Sequence, residues 1–139
     1  MLVQLFYVST PVGPITTTVT KMILDHSMIA NKAEKITGIL CQGNGLYFQV
    51  LEGPRSAINN KYKKILNDTR HQNVELLSYD HIEERHFGDW SMVLIDLSAV
   101  DAMISMNHCD FDPYIATGFD MRTMLKDLLV SKKEINQIL

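Results

Sequence analysis

The chain has 139 residues, of which 46% are hydrophobic and 21% are charged, and these proportions exclude a disordered chain. Asp and Glu outnumber Lys and Arg by 16 to 13, which argues against direct binding to nucleic acid because such binding depends on a basic surface. No apolar run approaches the roughly 20 residues of a membrane-spanning helix, and two cysteines fit a reducing compartment. We therefore expect a cytoplasmic protein that does not associate with membranes.

The first part of the chain predicts three strands and a helix. Residues 2–9 are β-branched, aromatic and apolar, which is typical of a strand. Apolar side chains at nearly helical spacing predict a helix over residues 17–33. Two further strands are predicted over 36–41 and 46–51, with a hairpin at residues 43–45 in which glycines permit a tight turn.

The rest of the chain predicts two more strands and additional helices. A second helix should follow Gly53-Pro54, because four apolar residues recur there at helical spacing: Ile58, Tyr62, Ile65 and Leu66. Strands are predicted over 74–79 and 90–97, and helices follow from residue 99, with a break at 107–113 and a restart near Asp120. The last helix has an apolar face formed by Met124, Leu125, Leu128 and Leu129.

This order of elements predicts an α+β fold with a ferredoxin-like βαββαβ core and an extra fifth strand. The first and third strands have no clean polar face, so helices must cover the sheet on both sides. The two early helices can cover one side only. We therefore expect residues 98–139 to form a C-terminal helical cap on the other side, within the same structural domain as residues 1–97.

Two polar residues stand out in apolar strands. Gln49 lies between Tyr47 and Leu51 on one face of its strand, and Tyr7 lies in the middle of the first strand. A buried amide or hydroxyl needs hydrogen-bond partners. If both side chains face the early helices, they can meet under a ligand cavity. They can equally form a hydrogen bond within the core, with no ligand.

Other chemistry has little support in the sequence. His81 and His86, with Glu83 and Glu84 between them, do not have a recognised metal-ligand spacing, so we expect no metal site. The common nucleophile, phosphate-loop and dinucleotide motifs do not occur, so no catalytic residue is predicted.

Six sequence blocks in register carry a resemblance to a known family. They are Tyr7-x-Ser9, Asn31, Thr37-Gly38-Ile39-Leu40, Phe48-Gln49-Val50-Leu51-Glu52-Gly53, Asp68-x-Arg70-His71 and Arg85-x-Phe87-x-x-Trp90-x-Met92. In order and spacing they resemble BLUF domains, the blue-light sensors that use flavin. The resemblance covers residues 2 to about 97. It implies a ferredoxin-like sheet with flavin between two helices, in agreement with the fold predicted above.

The resemblance also implies roles for particular residues. Tyr7 corresponds to the photoactive phenol and Gln49 to the amide between that phenol and the flavin. The cofactor-binding residues it implies are Tyr7, Asn31, Gln49, Lys64 and Asp68, and the residues implied in signal transmission are Trp90 and Met92. The expected cofactor is FAD, with FMN possible. Lys64 stands where the family commonly has Arg, and a lysine cannot form a bidentate fork.

The expected function is that of a blue-light photoreceptor and not of an enzyme, because the chain has no room for a catalytic effector after residue 97. We expect a reversible red-shifted state of the flavin, passed through the last strand to the C-terminal helices and to an unidentified partner protein or another copy in a homo-oligomer. Two alternatives are a ligand-binding module without photochemistry and an acylphosphatase-like hydrolase. The hydrolase would need an Arg in the loop at residues 10–15, which has none.

Overall fold

A computed structural model of the protein describes residues 1–14, 17–43, 45–88, 91–96, 112 and 114–138. Within these residues the chain forms five strands and three helices. In chain order they are β1 (Leu2–Pro11), α1 (Thr17–Ala33), β2 (Thr37–Gly43), β3 (Leu46–Pro54), α2 (Arg55–Leu66), β4 (His71–Ile82), β5 (Val93–Asp96) and α3 (Gly118–Ile138). The predicted succession of five strands and two early helices is confirmed.

The strands form one sheet in the order β4-β1-β3-β2-β5. β1 pairs antiparallel with both β3 and β4, and β2 pairs antiparallel with β3. This arrangement of the first four strands is the ferredoxin-like plan, as predicted. β5 is the extra strand, and it extends the sheet by pairing parallel to β2.

Apolar side chains form a core on each face of the sheet. The core beneath α1 and α2 includes Val3, Leu5, Tyr7, Ile36, Leu40, Tyr47, Leu51, Ile58 and Met92. The core beneath α3 includes Phe6, Ile39, Cys41, Phe48, Val50, Phe87 and Ile95 together with the helix's own apolar residues. The predicted alternation along the first and third strands is confirmed, and so is a helical cap on the second face.

α3 begins where its first turn is capped. Thr117 Oγ1 accepts a hydrogen bond from the Asp120 N–H at 3.2 Å, and Asp120 Oδ2 accepts one from the Thr117 N–H at 3.1 Å. This reciprocal pair is a capping box, so the helix begins at Gly118, slightly earlier than predicted. Its buried face consists of Met121, Met124, Leu125, Leu128 and Leu129. No helix in the described part of the chain is both long and apolar enough to cross a membrane.

Some sequence boundaries differ from those predicted. β4 runs from His71 to Ile82, well beyond the predicted 74–79, because it is an edge strand that pairs along most of β1 and tolerates polar side chains on its exposed surface. Leu66, predicted on the buried stripe of α2, is 51% exposed because it ends the helix. β5 spans Val93–Asp96, within the predicted 90–97. The predicted helix from residue 99 and the boundary between 97 and 98 lie outside the described residues.

A buried polar pair joins β1 to β3 on the α3 face. Gln4 and Glu52 are directly opposite each other, both side chains are fully buried, and Gln4 Nε2 donates to Glu52 Oε2 at 2.8 Å. Glu52 also accepts from the backbone N–H groups of His86, at 3.0 Å, and Phe87, at 2.6 Å. A buried carboxylate is tolerated only when such donors surround it. Glu52 therefore fastens the segment after β4 to the centre of the sheet.

This arrangement predicts that Glu52→Gln destabilises the fold by about 1–3 kcal/mol, because an amide NH₂ would replace one acceptor oxygen and leave a buried donor unpaired. Urea unfolding followed by circular dichroism measures the effect. Glu75→Gln, an exposed substitution on β4, is the matched control and should leave the unfolding free energy nearly unchanged. Equal stability of both variants would contradict the assignment.

Candidate functional site

Tyr7 and Gln49 meet on the face of the sheet beneath α1 and α2. They are directly opposite in the β1–β3 pairing, and opposite residues of an antiparallel pair point to the same face. Both are buried, and the Tyr7 hydroxyl donates a hydrogen bond to Gln49 Oε1. The core hydrogen bond considered from the sequence is therefore present, and it also forms part of a cavity wall.

The other end of the Gln49 amide contacts a methionine. Gln49 Nε2 lies 3.5 Å from Met92 Sδ, and Met92 is buried just before β5. A thioether sulfur is a weak acceptor, so this contact holds the amide NH₂ loosely. Gly38 on β2 lies beside Met92, where an added Cβ would be 2.5 Å from the Val50 carbonyl oxygen and 3.4 Å from Met92 Cε. Trp90, the other residue predicted in transmission, lies outside the described residues.

The cavity lies between the sheet, α1 and the turn that follows α2. Its volume is about 70 Å³. Nine residues line it: Tyr7, Ile23, Ser27, Leu40, Tyr47, Gln49, Asp68, Arg70 and His71. A phenol, an amide, a carboxylate and a guanidinium thus converge on one small space, and three of the five predicted cofactor-binding residues are among them.

An ion pair stands in the cavity wall. The Arg70 Nε donates to Asp68 Oδ1 at 3.0 Å, and the Arg70 backbone N–H donates to the same oxygen at 2.9 Å. The hydrogen bond from the Arg70 side chain is the main reason that the pKa of Asp68 is lowered, and the same bond raises the pKa of Arg70. The pair therefore presents a fixed negative and a fixed positive charge to any ligand in the cavity.

His71, the first residue of β4, contacts α2 and β1 at the same cavity wall. Its Nε2 lies 2.6 Å from the Ile65 carbonyl oxygen at the end of α2, and its Nδ1 lies 2.8 Å from Ser9 Oγ on β1. A carbonyl oxygen only accepts, so Nε2 carries a proton, and in the neutral ring Nδ1 accepts from the Ser9 hydroxyl. His71 thereby fixes the end of α2 near Tyr7, whose ring centroid is 6.3 Å from that of His71.

Burial determines the protonation of Tyr7. Removal from water raises the pKa of its phenol strongly, and the negative charge of Asp68 raises it further, whereas Arg70 acts in the opposite direction. The neutral form is favoured because a buried phenolate would lose its hydration. Tyr7 consequently keeps its proton and remains a hydrogen-bond donor to Gln49.

Asn31 has an unused acceptor. Its side chain is buried near the end of α1, and its Nδ2 donates to the Ser91 carbonyl oxygen at 2.9 Å. Its Oδ1 has no hydrogen-bond partner among the described residues. A buried unpaired acceptor is unfavourable, and a ligand N–H would satisfy it. The pyrimidine ring of a flavin carries such an N–H, so this residue fits the cofactor implied by the sequence.

Lys64 is placed differently from the other predicted cofactor residues. Its side chain is 71% exposed, and its Nζ lies 3.7 Å from Glu34 Oε1 at the end of α1. It does not line the cavity, where Arg70 supplies the positive charge. Arg70 and His71 were not predicted as site residues, and their place beside Asp68 in the same motif is the signal that could have identified them.

In the described part of the chain, no group of three or more His, Cys, Asp or Glu side chains is arranged to hold a metal ion. In the His- and Glu-containing stretch over residues 81–86, His81 Nδ1 lies 3.9 Å from Glu83 Oε1.

Comparisons with known proteins place the chain in a family. The family model described as sensors of blue light using FAD matches residues 2–93. Photoactivated adenylate cyclase subunit beta of Euglena gracilis is 31% identical over 105 residues, which are 75% of this chain and 12% of that protein. The blue light- and temperature-regulated antirepressor BluF of Escherichia coli (strain K12) is 39% identical over 80 residues, which are 55% of this chain and 20% of that protein.

A solved structure supports the same assignment over nearly the whole chain. The photo-activated state of BlsA superimposes with a TM-score of 0.81 at 26% identity, covering 94% of this chain and 96% of that one. Together with the family match, this confirms the fold and the family resemblance found in the sequence. The chain belongs to the BLUF family, the sensors of blue light that use FAD.

Proposed function

We propose that this chain signals blue light by rearranging the hydrogen bonds of Gln49 beside a flavin held between α1 and α2. The observation that carries the proposal is the continuous contact from Tyr7 through the Gln49 amide, both in the cavity wall, to Met92 behind them. A bound flavin supplies absorption of blue light and an acceptor that can oxidise a nearby phenol.

Tyr7 is the phenol in this proposal. Its high pKa keeps the hydroxyl proton in place, and Gln49 Oε1 is the acceptor toward which that proton points. If the hydroxyl no longer donates, the amide loses its main restraint. The amide can then turn or change tautomer, because its NH₂ end is held only by the Met92 sulfur. No covalent bond to the protein is formed, so the change reverses in the dark.

Asn31, Asp68 and Lys64 are the other residues proposed to bind the cofactor. Asn31 offers the unpaired Oδ1, and Asp68 stands in the cavity wall. Lys64 is proposed to act at the open side of the cleft, where its ammonium is exposed. FAD is the favoured form because the family description names it, and FMN is the alternative.

Transmission is proposed to start at Met92 and proceed along the fifth strand. β5 begins one residue after Met92 and pairs with β2, and its Ile95 packs in the core beneath α3. A shift of Met92 would therefore reach the helical cap through a short and continuous path. Trp90 is the second residue proposed in transmission, because it belongs to the same sequence motif as Met92.

The output is proposed to pass to another protein or to a second copy of the chain. The adenylate cyclase subunit and the antirepressor share only 12% and 20% of their lengths with this chain, so each has further regions through which it acts. We propose that this chain acts as the light sensor and that another protein or a second copy carries the output. A cytoplasmic location and a homo-oligomer are part of the same proposal.

The cofactor assignment predicts a yellow protein with one non-covalently bound flavin per chain. Asn31→Ala should weaken flavin binding by about threefold to tenfold, the loss of one hydrogen bond. Fluorescence titration of the flavin-free chain measures the affinity, and chromatography of heat-released flavin identifies FAD or FMN. Asn60→Ala on the exposed surface of α2 is the control. A colourless protein that takes up neither flavin would contradict the proposal.

The photochemical assignment predicts that Tyr7→Phe and Gln49→Leu retain flavin but lose its reversible red shift. The first removes the phenolic donor and the second removes the bridging amide, with little change in volume. Absorption spectra before and after blue light provide the measurement. Tyr62→Phe, whose ring is 6.2 Å from that of Tyr7, is the control and should keep the shift. A normal shift in folded Tyr7→Phe would show that the mechanism is wrong.

The buried phenol also predicts a dependence of stability on pH. Because the pKa of Tyr7 is raised in the folded state, the folded chain binds more protons than the unfolded chain at alkaline pH. Its contribution to stability is full below the ordinary tyrosine pKa of about 10 and is lost as the pH rises above that value. Urea unfolding between about pH 9 and pH 11 should therefore show a steeper loss of stability in wild type than in Tyr7→Phe. Tyr114→Phe, which removes an exposed phenol, should behave as wild type.

A further inference from the structure

The buried pair of Gln4 and Glu52 extends to the helical cap. Gln4 Nε2 donates to Glu52 Oε2 at 2.8 Å, and Gln4 Oε1 accepts from Arg122 Nη1 at 3.0 Å. The Gln4 amide is therefore bonded at both ends: its NH₂ donates to Glu52 on the sheet, and its oxygen accepts from Arg122 on α3. Gly118 leaves room for this contact, since an added Cβ there would lie 3.1 Å from Arg122 Nη1.

Arg122 differs from the rest of the buried face of α3. Among residues 118–130, the buried side chains of that face are apolar: Met121, Met124, Leu125, Leu128 and Leu129. Apolar packing is non-directional and allows a helix to shift by small amounts. A hydrogen bond from a guanidinium to one buried carbonyl oxygen is directional. Arg122 therefore gives α3 a directional contact with the sheet.

Glu52 connects the same network to the segment that contains Met92. Its carboxylate accepts the backbone N–H groups of His86 and Phe87, and Phe87 packs in the core beneath α3. The neighbouring Arg85 strengthens this attachment, because its guanidinium donates to the Glu52 carbonyl oxygen at 2.9 Å. Five residues after Phe87, the chain reaches Met92 and its contact with Gln49.

The two attachments of this segment lie on opposite faces of β3. Gln49 and Glu52 are three residues apart on that strand, so their side chains point to opposite sides of the sheet. Gln49 contacts the segment at Met92 on the cavity face, and Glu52 holds it at His86 and Phe87 on the cap face. The chain is therefore held to β3 at two points five residues apart, at Phe87 on the cap face and at Met92 on the cavity face.

We propose that Glu52, Gln4 and Arg122 form a polar relay that makes the docking of α3 depend on the state of Gln49. Movement of Met92 shifts the Phe87 N–H relative to the Glu52 carboxylate. The Gln4 amide, shared between Glu52 and Arg122, then loses its fixed orientation, and the Arg122 hydrogen bond weakens. The three are positioning residues, since none of them touches the cavity. The relay rests on the proposed rearrangement of Gln49 and specifies how that change reaches the cap.

Coupling of this kind is reciprocal, so releasing α3 must also affect the light-induced state. The Arg122–Gln4 bond is present in the arrangement described here, with the Tyr7 hydroxyl bonded to Gln49. Its removal takes away a contact that favours this dark arrangement. Destabilising the dark arrangement reduces the driving force for thermal recovery, and we expect part of that loss to appear as dark recovery that is slower by about fivefold.

The test uses the full chain loaded with flavin and compares wild type with Arg122→Met. Two quantities are measured: the flavin red shift with its dark recovery, and the light-minus-dark difference in hydrogen exchange of residues 118–130. Wild type should show the shift together with faster exchange in α3 under light. Arg122→Met should form the same red shift, recover about fivefold more slowly, and lose the light-dependent exchange difference.

Two further variants separate the relay from general loosening of the helix. Arg122→Lys keeps a positive donor and should restore most of the wild-type behaviour. Lys126→Met removes an exposed cation four residues along the same helix and should behave as wild type. The relay alone is overturned if Arg122→Met keeps the full light-minus-dark difference in hydrogen exchange and recovers in the dark at the wild-type rate. It is also overturned if wild type shows the flavin red shift but no exchange difference in α3. Absence of the red shift in flavin-loaded wild type overturns the proposed function and the relay with it.

Discussion

The antiparallel register between β1 and β3 is the constraint on which the site and its connections depend. It places Tyr7 opposite Gln49, and three residues away it places Gln4 opposite Glu52. Because side chains alternate along a strand, this odd spacing puts one polar pair on each face of the sheet. A slip of one residue would separate both pairs and bury polar side chains without partners. The same register therefore builds the photosensory pair and the attachment of the helical cap.

The hydrogen bonds that hold the Glu52 carboxylate are stronger than those that hold the Gln49 amide. The carboxylate of Glu52 accepts three hydrogen bonds, two of them from backbone N–H groups, and bonds to a charged acceptor are among the stronger ones. Gln49 accepts from one phenol and donates to a thioether sulfur. The amide of Gln49 can therefore reorient with little loss of bonding, whereas the Glu52 carboxylate cannot. A mobile group next to a firmly attached segment is the arrangement through which a small local change moves a larger element.

The face of the sheet beneath α1 contains an unfilled cavity, whereas α3 buries five apolar residues against the other face. The cavity beside α1 is narrow, and Asn31 leaves an acceptor unpaired near the end of that helix. A flavin held between α1 and α2 would fill that space and supply the missing donor. The cofactor then contributes to the core on this face and does not simply occupy a finished pocket.

The sequence by itself determined the order of strands and helices, the two apolar faces of β1 and β3, and the burial of Tyr7 and Gln49, because these follow from local periodicity. The family motif added the cofactor and the expected site. Only the tertiary structure decided that Arg70 and His71 line the cavity while Lys64 does not, since this depends on how the turn after α2 folds back against β1. The bond from Arg122 to Gln4 also required the structure, because its partners are 118 residues apart. Periodicity reports which face a residue occupies, whereas contacts between distant side chains are decided by strand pairing and helix docking.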